Sequence, residues 1–107
     1  MVSRLGIGSS YGASTSVIEE AVERYVNFLY WGTVRRPAFG RAIRNLARRN
    51  RDGVVLTVQS YSRIPALISP SVEVALRRAG LDYFDILLLG MRNERPGPAY
   101  IDAFERL

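Results

Sequence analysis

The chain has 107 residues, 48% of them apolar, and fifteen basic against ten acidic side chains leave a formal charge of +5, which is the composition of one small globular domain. Every basic residue is Arg, because the sequence contains no Lys, and it contains no His and no Cys either. Disulfides, thiolate nucleophiles, Cys- or His-based metal centres, a Ser-His-Asp triad and a Schiff base are thereby excluded, leaving carboxylates and Tyr for proton transfer and Arg with backbone amides for holding anions.

The opening residues have no long apolar core behind a basic start, so they do not read as a signal peptide, and no apolar run approaches the roughly 20 residues of a membrane span. A cytoplasmic protein without a membrane partner is expected. Leu5 to Gly8 forms a short apolar run, and a turn cluster, Ser9 to Gly12, follows it. A helix is then predicted from a capping box of Ser16 with Glu19 and from Val17, Ile18, Ala21, Val22 and Tyr25 at helical spacing. Val26 to Tyr30 reads as a second strand, and Trp31, Gly32 and Pro37 as a loop. Next comes a helix with Phe39, Ala42, Ile43, Leu46 and Ala47 on one face and Arg on the other.

Val54 to Val58, released by Gly53, is β-branched and apolar on both faces, as in a strand buried within a parallel sheet. Ser69 and Pro70 suggest an N-cap with Pro at the first helical position, Val72, Ala75, Leu76 and Ala79 make a buried stripe, and Gly80 ends the helix. Tyr83 to Leu89 reads as the fourth strand. After a polar, Pro-containing loop, Tyr100, Ile101 and Phe104 mark a fourth helix that runs toward Leu107.

Strands beginning near residues 3, 26, 54 and 83 recur at the spacing of a βα unit, which predicts an α/β fold with a parallel sheet in one domain over residues 1–107. Two closures are open to it: a doubly wound sheet, or half of a (β/α)8 barrel. Seven Arg and no acid lie between Arg35 and Arg51, a field that attracts phosphates, although an outer helix needs a solvated face and nucleic-acid binding is the less favoured reading. Glu19, Glu20 and Glu23 suit the N-terminal half of the first helix, and Asp82 and Asp85 read as structural residues at the start of the fourth strand.

The stretches LGIGSSYG, VIEEAVERYVNF, GRAIRNL and SVEVALRRAGLDYFDILLLG, in this order over about residues 4–107, resemble the aldo-keto reductases. That resemblance implies four parallel βα units forming the N-terminal half of a (β/α)8 TIM barrel, and an ancestral NADPH-dependent carbonyl reduction. It also implies a catalytic tetrad of Asp, Tyr, Lys and His. At the matching positions this chain has Tyr30 for the Asp, no donor Tyr in Thr33 to Pro37, Gln59 for the Lys and Gly90 for the His. Without a cation, Tyr30 is expected to keep a pKa close to the ordinary phenol value of about 10, so the family reaction is expected to be impaired or altered and no residue is assigned as catalytic.

The same resemblance puts the NADPH-binding loops after the fifth to eighth strands, so cofactor is expected only where a longer chain supplies that C-terminal half. The fragment would otherwise be a pseudoenzyme or a non-catalytic module, binding a small molecule or associating with itself or a second half-barrel through open strand edges. In either case the functional surface is the C-terminal end of the strands, which places Ser9, Ser10, Tyr11, Tyr30, Trp31, Gln59, Tyr61, Gly90 and Met91 around one mouth. No metal site is expected.

Overall fold

A computed structural model describes residues 1–33, 35–90 and 93–107. Four strands, β1 (Gly6–Gly8), β2 (Phe28–Trp31), β3 (Val55–Ser60) and β4 (Ile86–Leu89), alternate with four helices, α1 (Thr15–Arg24), α2 (Pro37–Asn50), α3 (Ile68–Ala79) and α4 (Pro98–Glu105). The strands form one sheet in the order β1-β2-β3-β4, and every neighbouring pair is parallel. Each parallel step needs a crossover, and the helices provide it. The predicted βα repeat is therefore the architecture found.

Side-chain alternation divides the sheet into two faces. Leu29, Trp31, Leu56 and Val58 join Ile18 of α1, Phe39, Ala42, Ile43 and Leu46 of α2 and Ala75 and Ala79 of α3 in one buried cluster between sheet and helices. The opposite face, with Gly6, Gly8, Phe28, Tyr30, Thr57, Gln59, Ile86 and Leu88, has no layer packed on it among the described residues. Ile86 is 38% and Leu88 43% exposed there, so β4 is covered less on this face than β3, the strand expected to be buried on both sides.

Several element boundaries differ from the sequence pattern. Ser14, not Ser16, caps α1: its backbone is extended, and its hydroxyl accepts the Val17 amide at 3.4 Å. Ser16 lies inside the first turn instead. Glu19 and Glu23 do not serve the helix dipole, since the first turn holds no acid; they reach α2, where Glu19 Oε1 accepts Asn45 Nδ2 at 2.7 Å and Arg49 pairs with both carboxylates at 3.3 Å. Helix α3 starts at Ile68, straight out of a 3-10 turn over Pro65–Leu67, so Ser69 is not its cap. Pro70 is tolerated at the third position because the first four N–H groups of a helix have no partner within it. Gly80 ends α3 as expected, at φ 64°.

The fourth strand begins at Ile86 rather than Tyr83. Asp85 Oδ2 takes the Leu56 amide at 2.8 Å, occupying the place of a strand carbonyl, and the regular ladder starts one residue later. The second strand runs from Phe28 rather than Val26 and one residue past the predicted end at Tyr30, because pairing of Trp31 with Val58 puts its indole beneath α2, where it is 1% exposed. No helix among the described residues is long and apolar enough to cross a membrane.

Candidate functional site at the strand tips

Parallel strands in sequential order bring all their C-terminal ends to one edge of the sheet. Gly8 pairs with Tyr30, Tyr30 with Thr57 and Gln59 with Leu88, and the Gly90 amide donates to the Ser60 carbonyl at 2.9 Å, carrying the β3–β4 ladder one residue past the strand. Ser9, Tyr30, Gln59 and Gly90 thus stand on neighbouring strand ends. They do not all face the same way.

Tyr30, Gln59 and Gly90 gather on the open face. The Tyr30 ring runs toward Gly32, where a Cβ would lie 3.2 Å from its Cε1, and its phenol interacts with that of Tyr61. The Gln59 carboxamide lies across Gly90 in the space that a Cβ there would occupy. Thr57, one strand over from Tyr30, is 1% exposed, and its hydroxyl has no hydrogen-bond partner among the described residues. A groove of about 530 Å³ follows this face, lined by Gly6, Gly8, Phe28, Tyr30, Thr57 and Leu88 together with residues of the N-terminal segment. It meets the predicted mouth at Tyr30 and extends from there toward the opposite end of the strands.

The other predicted residues are placed differently. Trp31 faces the helices: its ring centroid is 6.5 Å from that of Phe84, and a Cβ on Gly40 of α2 would come within 2.9 Å of its Cζ2. Ser9 is buried and its hydroxyl accepts the Gly32 amide at 3.0 Å, tying the β1 and β2 tips together. Ser10 is exposed with its carbonyl accepting from Arg36 Nη2 at 3.3 Å, and Tyr11 is 94% exposed on the same 3-10 turn. Met91 lies outside the described residues. Sequence reading missed Thr57; its place opposite Tyr30 follows from strand register, which periodicity alone does not supply.

The electrostatics also depart from the expectation for Tyr30. Its pKa is raised above 10.0, first by burial and then by the charge and hydrogen bond of Tyr61, and no cation is among the groups that act on it. Its hydroxyl is therefore a neutral hydrogen-bond donor at ordinary pH. With the Gln59 amide, the face offers uncharged donors suited to a carbonyl or hydroxyl oxygen, but no activated acid; the Thr57 hydroxyl is buried beneath it. Among the described residues no cluster of carboxylates is arranged to hold a metal ion.

No protein-family model matches the chain, and no curated protein matches it. Solved structures do. An aldo-keto reductase from Klebsiella pneumoniae in complex with NADPH superposes with a TM-score of 0.79 at 21% sequence identity, covering 98% of this chain and 41% of that one. An aldo/keto reductase from the same organism, with NADP and acetate, gives 0.82 at 22% over the same shares. The apo form of aldo-keto reductase AKR11C1 from Bacillus halodurans gives 0.69 at 24%, covering 98% of this chain and 38% of that one. The chain spans about two-fifths of the length of these structures, and its fold is that of the N-terminal part of an aldo-keto reductase barrel.

Proposed function

We propose that this chain is the N-terminal half of a divergent aldo-keto-reductase-type barrel in which NADPH-dependent carbonyl reduction is impaired or altered. One observation carries the reading: Tyr30, Gln59 and Gly90 stand at the strand tips where that family's Asp, Lys and His are expected, so the rim has hydrogen-bond donors and no charge relay. In that family a Lys and an Asp lower the pKa of the proton donor; here burial and Tyr61 raise that of Tyr30. The rim would orient a ligand's carbonyl or hydroxyl oxygen. NADPH would be held by loops of a C-terminal half, as the resemblance implies, and a cytoplasmic location belongs to the same reading.

The test is a nicotinamide-fluorescence titration of the 107-residue chain beside a chimera that joins it to the last four βα units of the Klebsiella pneumoniae reductase. Cofactor binding by the chimera alone, with little turnover of small aldehydes, is the expected result. Brisk turnover by the chimera, or NADPH binding by the short chain, would overturn the proposal.

A second reading, a non-catalytic interaction module, is favoured by the exposed Ile86 and Leu88 and by the edge positions of β1 and β4. The open face would then be covered by a second half-barrel or another copy. Sedimentation velocity decides it: the 12.0 kDa chain should run as a dimer at micromolar concentration, and a strictly monomeric chain removes self-association.

A further inference from the structure

Helix α2 presents two unlike flanks. Toward α1, Asn45 and Arg49 are matched by Glu19 and Glu23. Toward α3 the matching stops. Arg44 lies against Gly80, where a Cβ would sit 2.9 Å from its Nε, and that buried Nε has no hydrogen-bond partner among the described residues. Arg41 and Arg48 stand three residues before and four after Arg44, so the three share one stripe, and both outer members are exposed. Helix α2 has no acidic residue at all. Helix α3 brings Arg77 and Arg78 in its last turn, and its single acid, Glu73, is paired with Arg77 at 3.7 Å. The nearest carboxylates in sequence, Asp52 and Asp82, stand beyond the C-terminal ends of the two helices.

We propose that the outer α2–α3 face, centred on Arg41, Arg44 and Arg48, is a docking surface for the phosphate backbone of a nucleic-acid duplex. Guanidinium groups donate in pairs to phosphate oxygens, and a stripe over seven helical residues extends about 10 Å, enough to meet more than one phosphate of a strand. A protein partner fits less well. Protein interfaces are centred on apolar anchors, and the only exposed large apolar side chain of α2 or α3 is Val74. A bilayer surface fits no better, because the apolar side of α2 is buried in the core and unavailable to lipid. Taken as sequence, the seven Arg between positions 35 and 51 favour an ordinary solvated face. The fold sorts them: Arg49 and Arg51 pair with Glu19, Glu23 and Asp85, while Arg41, Arg44 and Arg48 meet no carboxylate among the described residues. This surface lies on the helix side of the sheet, away from the strand-tip rim, so the inference stands apart from the function proposed above.

Fluorescence anisotropy of the 107-residue chain with a labelled 20-base-pair DNA duplex tests it. The affinity should fall as salt rises, with a log–log slope of about −2 to −4. The Arg41→Gln/Arg44→Gln/Arg48→Gln triple should weaken binding about tenfold or more and reduce that slope by about 2. A control with the same charge change, Arg4→Gln/Arg24→Gln/Arg63→Gln, should change it about twofold or less. Circular dichroism monitors folding, and if the triple loses helix, the exposed pair Arg41→Gln/Arg48→Gln carries the same comparison. No binding at 50 mM salt, equal losses in patch and control variants, or equally strong binding to vesicles containing phosphatidylserine would each overturn the proposal.

Discussion

The carboxamide of Gln59 lies across the Cα of Gly90, filling the place where a side chain at position 90 would start. Two adjacent strand tips are thereby coupled: what stands at 90 decides where the amide of 59 points. In a Gly90→Ala variant the flexible Gln59 side chain has to swing off the β4 tip, at a stability cost of about 1 kcal/mol or less. The Gln59 side-chain amide resonances should shift in a heteronuclear NMR spectrum while the sheet amides stay in place. Unchanged Gln59 signals would mean that the contact is absent.

Burial and Tyr61 raise the Tyr30 pKa, so the folded chain favours the protonated phenol more than the unfolded chain does. The sign follows: this stabilisation is complete below the unfolded value of about 10 and is lost as pH rises through the higher folded value. A tyrosinate absorbance titration should show one late-titrating phenol that disappears in Tyr30→Phe. In Tyr61→Phe the Tyr30 transition should move down, because a like charge and a hydrogen bond to the neutral form are both removed.

Gly40 is the close-approach point between α2 and β2, where a methyl group would meet the rigid, buried indole of Trp31 at 2.9 Å. Helix propensity favours Ala there, but overpacking opposes it by about 1–3 kcal/mol and should win. Thermal unfolding should show Gly40→Ala melting several degrees lower. An equal or higher Tm would mean that α2 lifts off the sheet without penalty.

Ser9 ties the β1 and β2 tips through the buried amide of Gly32. Removing the hydroxyl in Ser9→Ala leaves that amide unpaired at a cost of about 1–3 kcal/mol, read by urea denaturation. Hydrogen exchange at Gly32 should accelerate more than exchange in β3. Uniform acceleration across the sheet would instead show a global loss of stability with no local tie.

At the opposite end of the sheet, Asp85 Oδ2 accepts from Arg51 Nη2 at 2.9 Å and from the Leu56 amide at 2.8 Å, while the Arg51 guanidinium stacks 4.0 Å from the Tyr83 ring centroid. Asp85→Ala should lower unfolding stability by about 1–3 kcal/mol, since one oxygen serves both a strand amide and a partly buried cation. Arg51→Gln should cost less. A smaller effect for Asp85→Ala than for Arg51→Gln would place the anchor in the cation–π stack instead.

The sequence alone determined the order of elements, because helical and strand periodicities are local and the recurring βα spacing leaves parallel pairing as its simplest solution. It also determined the end of α3 at Gly80, where the backbone enters the left-handed region that Gly adopts freely. Only tertiary structure decided sidedness. Tyr30 and Trp31 are neighbours in sequence and look equally suited to a pocket, yet the pleat sends Tyr30 to the open face and Trp31 under α2. Ser16 has the spacing of a capping box with Glu19, yet the extended backbone and the hydroxyl contact to Val17 belong to Ser14, which sets the start of α1 two residues earlier. The fates of Glu19, Arg49, Arg51 and Arg44 depended on which helix or strand lies beside each, and the Tyr30 pKa on a residue more than twenty-five positions away, Tyr61. Contacts between distant residues follow from register and packing, and those are properties of the assembled sheet and helices rather than of any local stretch of chain.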